Sequence, residues 1–543
     1  MRPEVTQDAL HRAKSLPPAR KGVWLRASTL PMKRLLNTLS IIVSFVSALF
    51  PKAQVLHRAR FALPHELRSL VSHVFDGKSL LLGISHLGGI YRVQSTAERQ
   101  ELGHLLVVAP TRGGKSLLAV SQLLTWEHSV VVNDIKGELY AQTAGFRSSL
   151  GPVYVIDPRG FGHQYDPLHA KTDEDALYDA AKNLLYEPRE GDGKAFTEKG
   201  TKMQTLMWYA ALELRRLSGQ SVRLLPFTRK MADLGINPAA AAIHAISPEI
   251  ARRLLDGEYD PERDYTEYKY LANSWESATA RLYPLLTEKI VRCFDGSDFT
   301  GKDIITSPRP VSVYLCWPRS ALLGKAALIR LVVESIISEM NDTYDAVRGR
   351  NCRPVLLLLD EAGTVGIPSL PHYAATIAGG GMSLWVAIQE FAQLDDLYGR
   401  YKARSIRNNM GSKIYYRQED DETASFIERS LSRRSEYGRS ETLHDGQVVS
   451  EGRSEQAVPL LSARDINELD PDEIIAFHSN RTNRKPFRGK RMDWRAFPIL
   501  TQRRAIPPPK LSPLPPLSEI HLPSPWERGG RNPRFPIDPD NLN

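Results

Sequence analysis

The sequence predicts an α/β fold: a mostly parallel, twisted sheet built around a phosphate-binding loop, with an inserted all-α domain and a candidate N-terminal membrane helix. Three observations predict it. Residues 105–116, LLVVAPTRGGKS, run an apolar strand into a glycine-rich turn ending in Gly-Lys-Ser. Further short apolar runs at 129–133, 153–156, 311–317, 354–359 and 383–388 alternate with stretches of helical period, the pattern of a doubly wound sheet. Between 172 and 295 the alternation stops, and apolar residues recur at helical spacing with few strand signals.

The first run carries the most chemistry. Ala109 is followed by four residues and then Gly114-Lys115-Ser116, the phosphate-loop pattern with Ala in place of the first Gly. Gly113 and Gly114 let backbone N–H groups wrap a triphosphate, Lys115 reaches the β- and γ-phosphates, and the Ser116 hydroxyl ligates Mg²⁺. A helix starting near Gly114, with Leu117, Leu118, Val120, Leu123 and Leu124 as apolar residues, adds its positive end to the same anion.

Before this loop, residues 1–34 are basic and Pro-punctuated. The uncharged run 35–50, LLNTLSIIVSFVSALF, follows. It is short of the ~20 apolar residues of a full span. Its basic N-terminal flank would keep the N-terminus in the cytoplasm. A membrane anchor, a buried or interfacial helix and a signal peptide are the three readings of this run, and an intracellular nucleotide site favours the first two. Residues 80–94 read as a hairpin around His86–Gly89 that leads into the nucleotide domain.

After the insertion, the helical stretch 321–347 presents an apolar face through Leu322, Ala326, Ile329, Val333 and Ile336. The strand at 354–359 then ends in Asp360-Glu361, and the strand at 383–388 ends in Gln389. Ligands of open α/β sheets bind at the carboxyl ends of strands. There Asp360 would hold Mg²⁺, Glu361 would activate the attacking water as general base, and Gln389 would sense the γ-phosphate or orient that water. Residues 413–417 and 474–477 read as the last sheet strands. The polar stretch 433–456 between them reads as a mobile surface insertion. Beyond about 495 the chain is Pro-rich (IPPPKLSPLPPLSEIHLPSP), which reads as a disordered or polyproline-II tail. The expected domains are a basic N-terminus at 1–60, a nucleotide-binding domain from 61–171 and 296–495, the all-α insertion at 172–295 and the tail at 496–543.

Composition limits the function. The 71 Lys and Arg residues exceed the 62 Asp and Glu, giving a net charge of +9 that favours an anionic partner such as nucleic acid or a membrane surface. The three cysteines, Cys293, Cys316 and Cys352, lie in or beside apolar runs. They argue for a reducing compartment and against a disulfide framework. No His/Cys spacing suggests structural zinc.

The ordered motifs resemble the conjugative coupling proteins of type IV secretion systems, the TraG/TraD-like ATPases. The matching stretches are APTRGGKS at 109–116, VVNDIKGEL at 131–139, VIDPRG at 155–160 with YDPL at 165–168, and LLLLDEAG at 356–363. Gln389 with Phe391 and LLSARDINELDPDEIIAF at 460–477 continue the series. The resemblance implies a RecA-like, membrane-anchored ATPase, with ATP and Mg²⁺ as cofactors and assembly as a homo-hexamer. It implies nucleotide contacts at Thr111, Arg112, Gly113, Gly114, Lys115 and Ser116, and Mg²⁺ and water roles at Asp360, Glu361 and Gln389. Its partners would be DNA, bound without sequence preference, a relaxase or effector cargo, and secretion-channel components at the bacterial inner membrane. Two features depart from the family. The chain offers at most one short membrane helix where two are common, and residues 377–381 (Ile-Ala-Gly-Gly-Gly) lack the arginine many members carry there. Arg404 and Arg407 are the alternative sources of an arginine acting in trans. A motor driven by ATP hydrolysis and a nucleotide-gated cargo adaptor with little turnover are the two competing readings.

Overall fold

A computed structural model describes residues 57–94, 101–185, 194–279, 282, 283, 285–444, 447–479 and 485–523. The candidate membrane run 35–50 lies outside them. Among the described residues no helix is long and apolar enough to cross a membrane.

The strands, in chain order, are β1 (Val71–Ser72), β2 (Leu80–Ile84), β3 (Ile90–Val93), β4 (Leu105–Val108), β5 (Ser129–Asp134), β6 (Val153–Asp157), β7 (Phe161–Gly162), β8 (Ser312–Cys316), β9 (Val355–Leu359), β10 (Met382–Ile388), β11 (Ser412–Tyr415), β12 (Arg433–His444), β13 (Gln447–Pro459), β14 (Glu473–His478) and β15 (Phe487–Lys490). All but β12 and β13 form one sheet of order β1-β3-β2-β15-β14-β11-β4-β10-β9-β5-β8-β6-β7. The stretch from β11 to β6 is parallel throughout. Antiparallel strands extend it on both sides. A parallel strand is covered on both faces, so it reads as a continuous apolar run, and β9 (VLLLL) and β10 (MSLWVAI) are buried along their whole length.

Alternate residues of these strands serve two cores. Leu105, Val107, Leu356, Leu358 and Trp385 pack with Leu118 and Leu123 of the helix Lys115–Thr125, with Leu139 and Phe146 of the helix Glu138–Leu150, and with the β2–β3 hairpin. Leu106, Val108, Leu357, Leu359 and Val386 face the other side. Their core runs without a break into Trp208, Phe227, Ile243, Leu254 and Leu285 of the all-helical segment between β7 and β8. That segment therefore shares its core with a face of the sheet. Its predicted helix at 238–255 is broken into Ile236–Ile246 and Pro248–Leu255, because Ser247 caps the second helix by accepting from the Ile250 N–H, with Pro248 in first position.

Two expectations are sharpened or corrected. Within the stretch expected as a mobile surface insertion, Arg433–His444 (β12) and Gln447–Pro459 (β13) pair as antiparallel strands. Backbone pairing builds this ladder, and its polar side chains gave no apolar alternation to signal it. The C-terminal segment is packed as far as residue 523. Pro498–Arg504 is a helix that buries Leu500. The Pro-rich strap after it then crosses the helix Glu138–Leu150, where a Cβ on Gly145 would run into the Ile506 carbonyl. Gly162 N–H donates to Ser512 O (2.9 Å), Leu514 N–H donates to Gly160 O (2.9 Å), and Phe161 bridges to Pro513. Farther on, Ser518 N–H donates to Asp295 and Gln220 exchanges hydrogen bonds with the His521 backbone, so the strap joins the sheet edge to the helical segment. Prolines exclude a regular helix or ladder here but leave carbonyls free to accept and apolar rings free to pack.

Candidate active site

The phosphate loop leaves β4 and turns into the helix Lys115–Thr125. Its turn needs glycine: Gly114 has φ 109°, and a Cβ on Gly113 would lie 3.0 Å from Pro110 O. Arg112 also takes a positive φ, 64°. The first helical turn closes on Gly114 O, which accepts from Leu117 and Leu118 N–H at 3.1 and 3.3 Å. Thr111, Arg112 and Ser116 are exposed around the loop, while Lys115 is only 7% exposed. The loop's base is fixed from both neighbouring strands, with Ala109 N–H donating to Ile388 O and Tyr416 N–H donating to Val108 O, each at 3.1 Å.

The strand order brings the second half of the site to the same edge. β10 lies between β4 and β9, in parallel register, with Ile388 opposite Val108 and Val386 opposite Leu359. Gln389 therefore follows β10 between the phosphate loop and Asp360-Glu361. Its Oε1 accepts from Thr111 Oγ1 at 3.3 Å, and its N–H donates to Gln393 Oε1 at 2.9 Å. Burial pushes the Asp360 carboxyl up to about 6; neighbouring Glu361 and then Asp134 add to the rise, while Lys115 and Lys136 oppose it. Glu361 holds φ 55°, with its carbonyl accepting from Thr364 N–H and Oγ1 at 2.9 and 2.8 Å. The residues singled out in the sequence from Thr111 to Ser116, at Asp360-Glu361 and at Gln389 thus meet along one edge of the sheet.

Three further side chains reach this edge. Lys136, from the loop after β5, places Nζ 3.8 Å from Glu361 Oε1. Asn133, at the end of β5, donates from Nδ2 to Asp360 O at 3.4 Å. Both belong to the VVNDIKGEL stretch, whose match carried no role for either residue. Arg491, just beyond β15, lies beside the phosphate loop: a Cβ on Gly114 would meet its Cδ at 3.3 Å. Arg491 also pairs with Asp472 at 2.7 Å. No local pattern announces it, since only the pairing of β15 with β14 brings it there. Arg407, a candidate finger by sequence, is instead tied into its own subunit. Its Nη1 donates to Asp395 at 3.0 Å, and its guanidinium lies over the rings of Phe391 and Phe426. Arg404 is exposed.

The donor set suits Mg²⁺ brought with a nucleotide. Among the described residues no group of three or more His, Cys, Asp or Glu side chains gathers as a metal cage. Mg²⁺ is typically held by one or two carboxylates together with substrate phosphates, and the exposed Ser116 hydroxyl and the crowded Asp360 carboxyl at the loop's mouth match that arrangement.

A phosphate loop and an acidic strand, separated by one strand of a parallel sheet, define a RecA-like P-loop NTPase fold. Residues 84–507 match the family described as type IV secretory system conjugative DNA transfer, and the chain belongs to it. It is similar to the conjugal transfer protein TraG of Escherichia coli, 25% identical over 451 residues, covering 75% of this chain and 70% of TraG. It is also similar to protein VirD4 of Agrobacterium fabrum, 26% identical over 397 residues, covering 69% of this chain and 56% of VirD4, so it spans little more than half of that relative. In fold it is similar to the bacterial conjugative coupling protein TrwB. The TM-score is 0.59 for an unbound form, at 15% identity, over 81% of this chain and 94% of the other. For TrwB in complex with ADP and Mg²⁺ the TM-score is 0.58, at 15% identity, over 86% and 98%.

Proposed function

We propose that this coupling protein is an ATPase that recruits DNA, as relaxase-bound nucleoprotein, or a protein effector, and drives it into a type IV secretion channel at the bacterial inner membrane. The convergence of the phosphate loop, Asp360-Glu361 and Gln389 on one sheet edge carries the proposal. In this reading the loop N–H groups from Thr111 to Ser116 and the Lys115 ammonium bind the β- and γ-phosphates. Ser116 and Asp360 would hold Mg²⁺, which would supply charge neutralisation to the bound phosphates. Glu361 accepts a proton from the attacking water, and the Gln389 amide orients that water toward phosphorus. TrwB in complex with ADP and Mg²⁺ and with non-hydrolysable ATP and GTP analogues supports the nucleotide assignment. DNA would be held through its phosphates by Lys and Arg, without sequence preference and with strong salt dependence. A homo-hexamer anchored through the N-terminal run 35–50 completes the proposal.

A nucleotide-gated adaptor with little turnover is the second reading. It is favoured by the turn Ile377–Gly380 and Gly381, which contain no arginine. ATP hydrolysis by the full-length protein, with and without single-stranded DNA, separates the two. The motor requires turnover that DNA stimulates and that Lys115→Ala and Glu361→Gln abolish. Tight nucleotide binding with no turnover overturns the motor and supports the adaptor.

A further inference from the structure

The loop at 134–138 ends β5 and starts the helix Glu138–Leu150, and its Lys136 closes against Glu361. The Nζ–Oε1 distance is 3.8 Å; the Glu361 side chain is 12% exposed and Lys136 is 35% exposed, so the pair sits at the lip of the site. The strand order gives this contact a direction. β4 and β10 lie on one side of β9 and β5 lies on the other. A carboxylate drawn toward Lys136 is therefore drawn away from the phosphate loop and from Gln389. The main chain cannot follow it back. The Glu361 carbonyl is held by Thr364, and Ala362 N–H donates to Ala387 O at 2.9 Å. Any travel between the β5 side and the phosphate-loop side falls to the Glu361 side chain.

We propose that Lys136 is a positioning residue that holds the Glu361 carboxylate on the β5 side of the site, away from the attacking water, until bound substrate presents that water to it. The inference rests on the reading of Glu361 as general base. It also gives the DIKGE stretch a task, because its lysine restrains the base whose own strand begins more than two hundred residues later. At 3.8 Å, with Lys136 35% exposed, the contact is a long ion pair at the rim of the site, weak enough to open in each catalytic cycle.

Full-length protein carrying Lys136→Met, Lys136→Arg or Glu361→Gln tests this. Lys136→Met is expected to raise kcat for ATP in the absence of DNA about three- to tenfold, with KM changed less than about twofold. Lys136→Arg, which keeps the charge, is expected to return toward the wild-type rate. A second readout is the affinity for a fluorescent ATP analogue in EDTA, which Lys136→Met should leave within about twofold of wild type. Lys136→Gln repeats both measurements if the Met variant does not fold. Loss of analogue affinity would assign Lys136 to the phosphates and overturn the proposal. Intact affinity with unchanged or lower kcat overturns it too. If Glu361→Gln retains turnover, the base assignment fails and the restraint with it. If Glu361→Gln is inactive while Lys136→Met is no faster, the restraint alone fails.

Discussion

The two edges of the parallel sheet treat buried charge in opposite ways. At the edge where β5 and β8 begin, Arg147 is fully buried, yet its guanidinium donates to Ser312 Oγ at 2.9 Å and to the carbonyls of Trp126 and His128. Nearby, His104 precedes β4 as a neutral ring whose Nδ1 accepts from Leu384 N–H at 3.0 Å, and burial lowers its pKa to about 4. At the opposite edge Asp360, Glu361 and Asp134 crowd like charges together, burial raises the carboxyls of Asp360 and Asp134, and Arg112 and Glu361 sit at positive φ. The first edge uses polar groups to fix strand ends. The second gathers carboxyl groups beside the phosphate loop, with two residues at positive φ, and crowded, strained sites of this kind are where ligands act.

Substitutions at each edge sharpen this contrast. Arg147→Met strands two carbonyls and a hydroxyl at once, and is expected to lower unfolding free energy by about 3–4 kcal/mol in urea melts. A comparable loss of stability from Gln389→Ala would erase the contrast. That variant is expected instead to melt like wild type and lose about 10- to 100-fold in ATP turnover. His104 gives a pH-dependent test. Its folded pKa is depressed, so the unfolded chain binds the extra proton; its contribution is fully present above about pH 6.5 and is lost as pH falls toward 4. Between pH 7 and 4.5 this amounts to about 2 kcal/mol, which His104→Gln should remove from a pH series of melts. The smallest effect belongs to the strap. Leu514→Asp is expected to cost about 1–2 kcal/mol and to speed tryptic cleavage after Lys510.

The central strands were legible because burial on both faces forces runs such as VLLLL at β9, and the phosphate loop was legible because its glycines and lysine are tied to one local turn. What stayed hidden depends on pairing over distance. β15 (FRGK) has no apolar alternation, and it delivers Arg491 to the loop only through its antiparallel match with β14. Lys136 reads as one charge in a polar loop until the order β9-β5 sets it beside Glu361. Arg407 looked available because a sequence does not reveal that Asp395 and two phenylalanine rings enclose it. The strap was misread because proline content predicts which ladders a segment cannot join, and says nothing of the groove it fills.

That strap also closes one end of the sheet. An outermost strand ordinarily exposes a row of free amides and carbonyls, a template on which a second polypeptide can add. Here β7 is already engaged by Ser512, Pro513 and Leu514 of the same chain. The tail thus works as a built-in stopper against runaway strand addition at that end of the sheet.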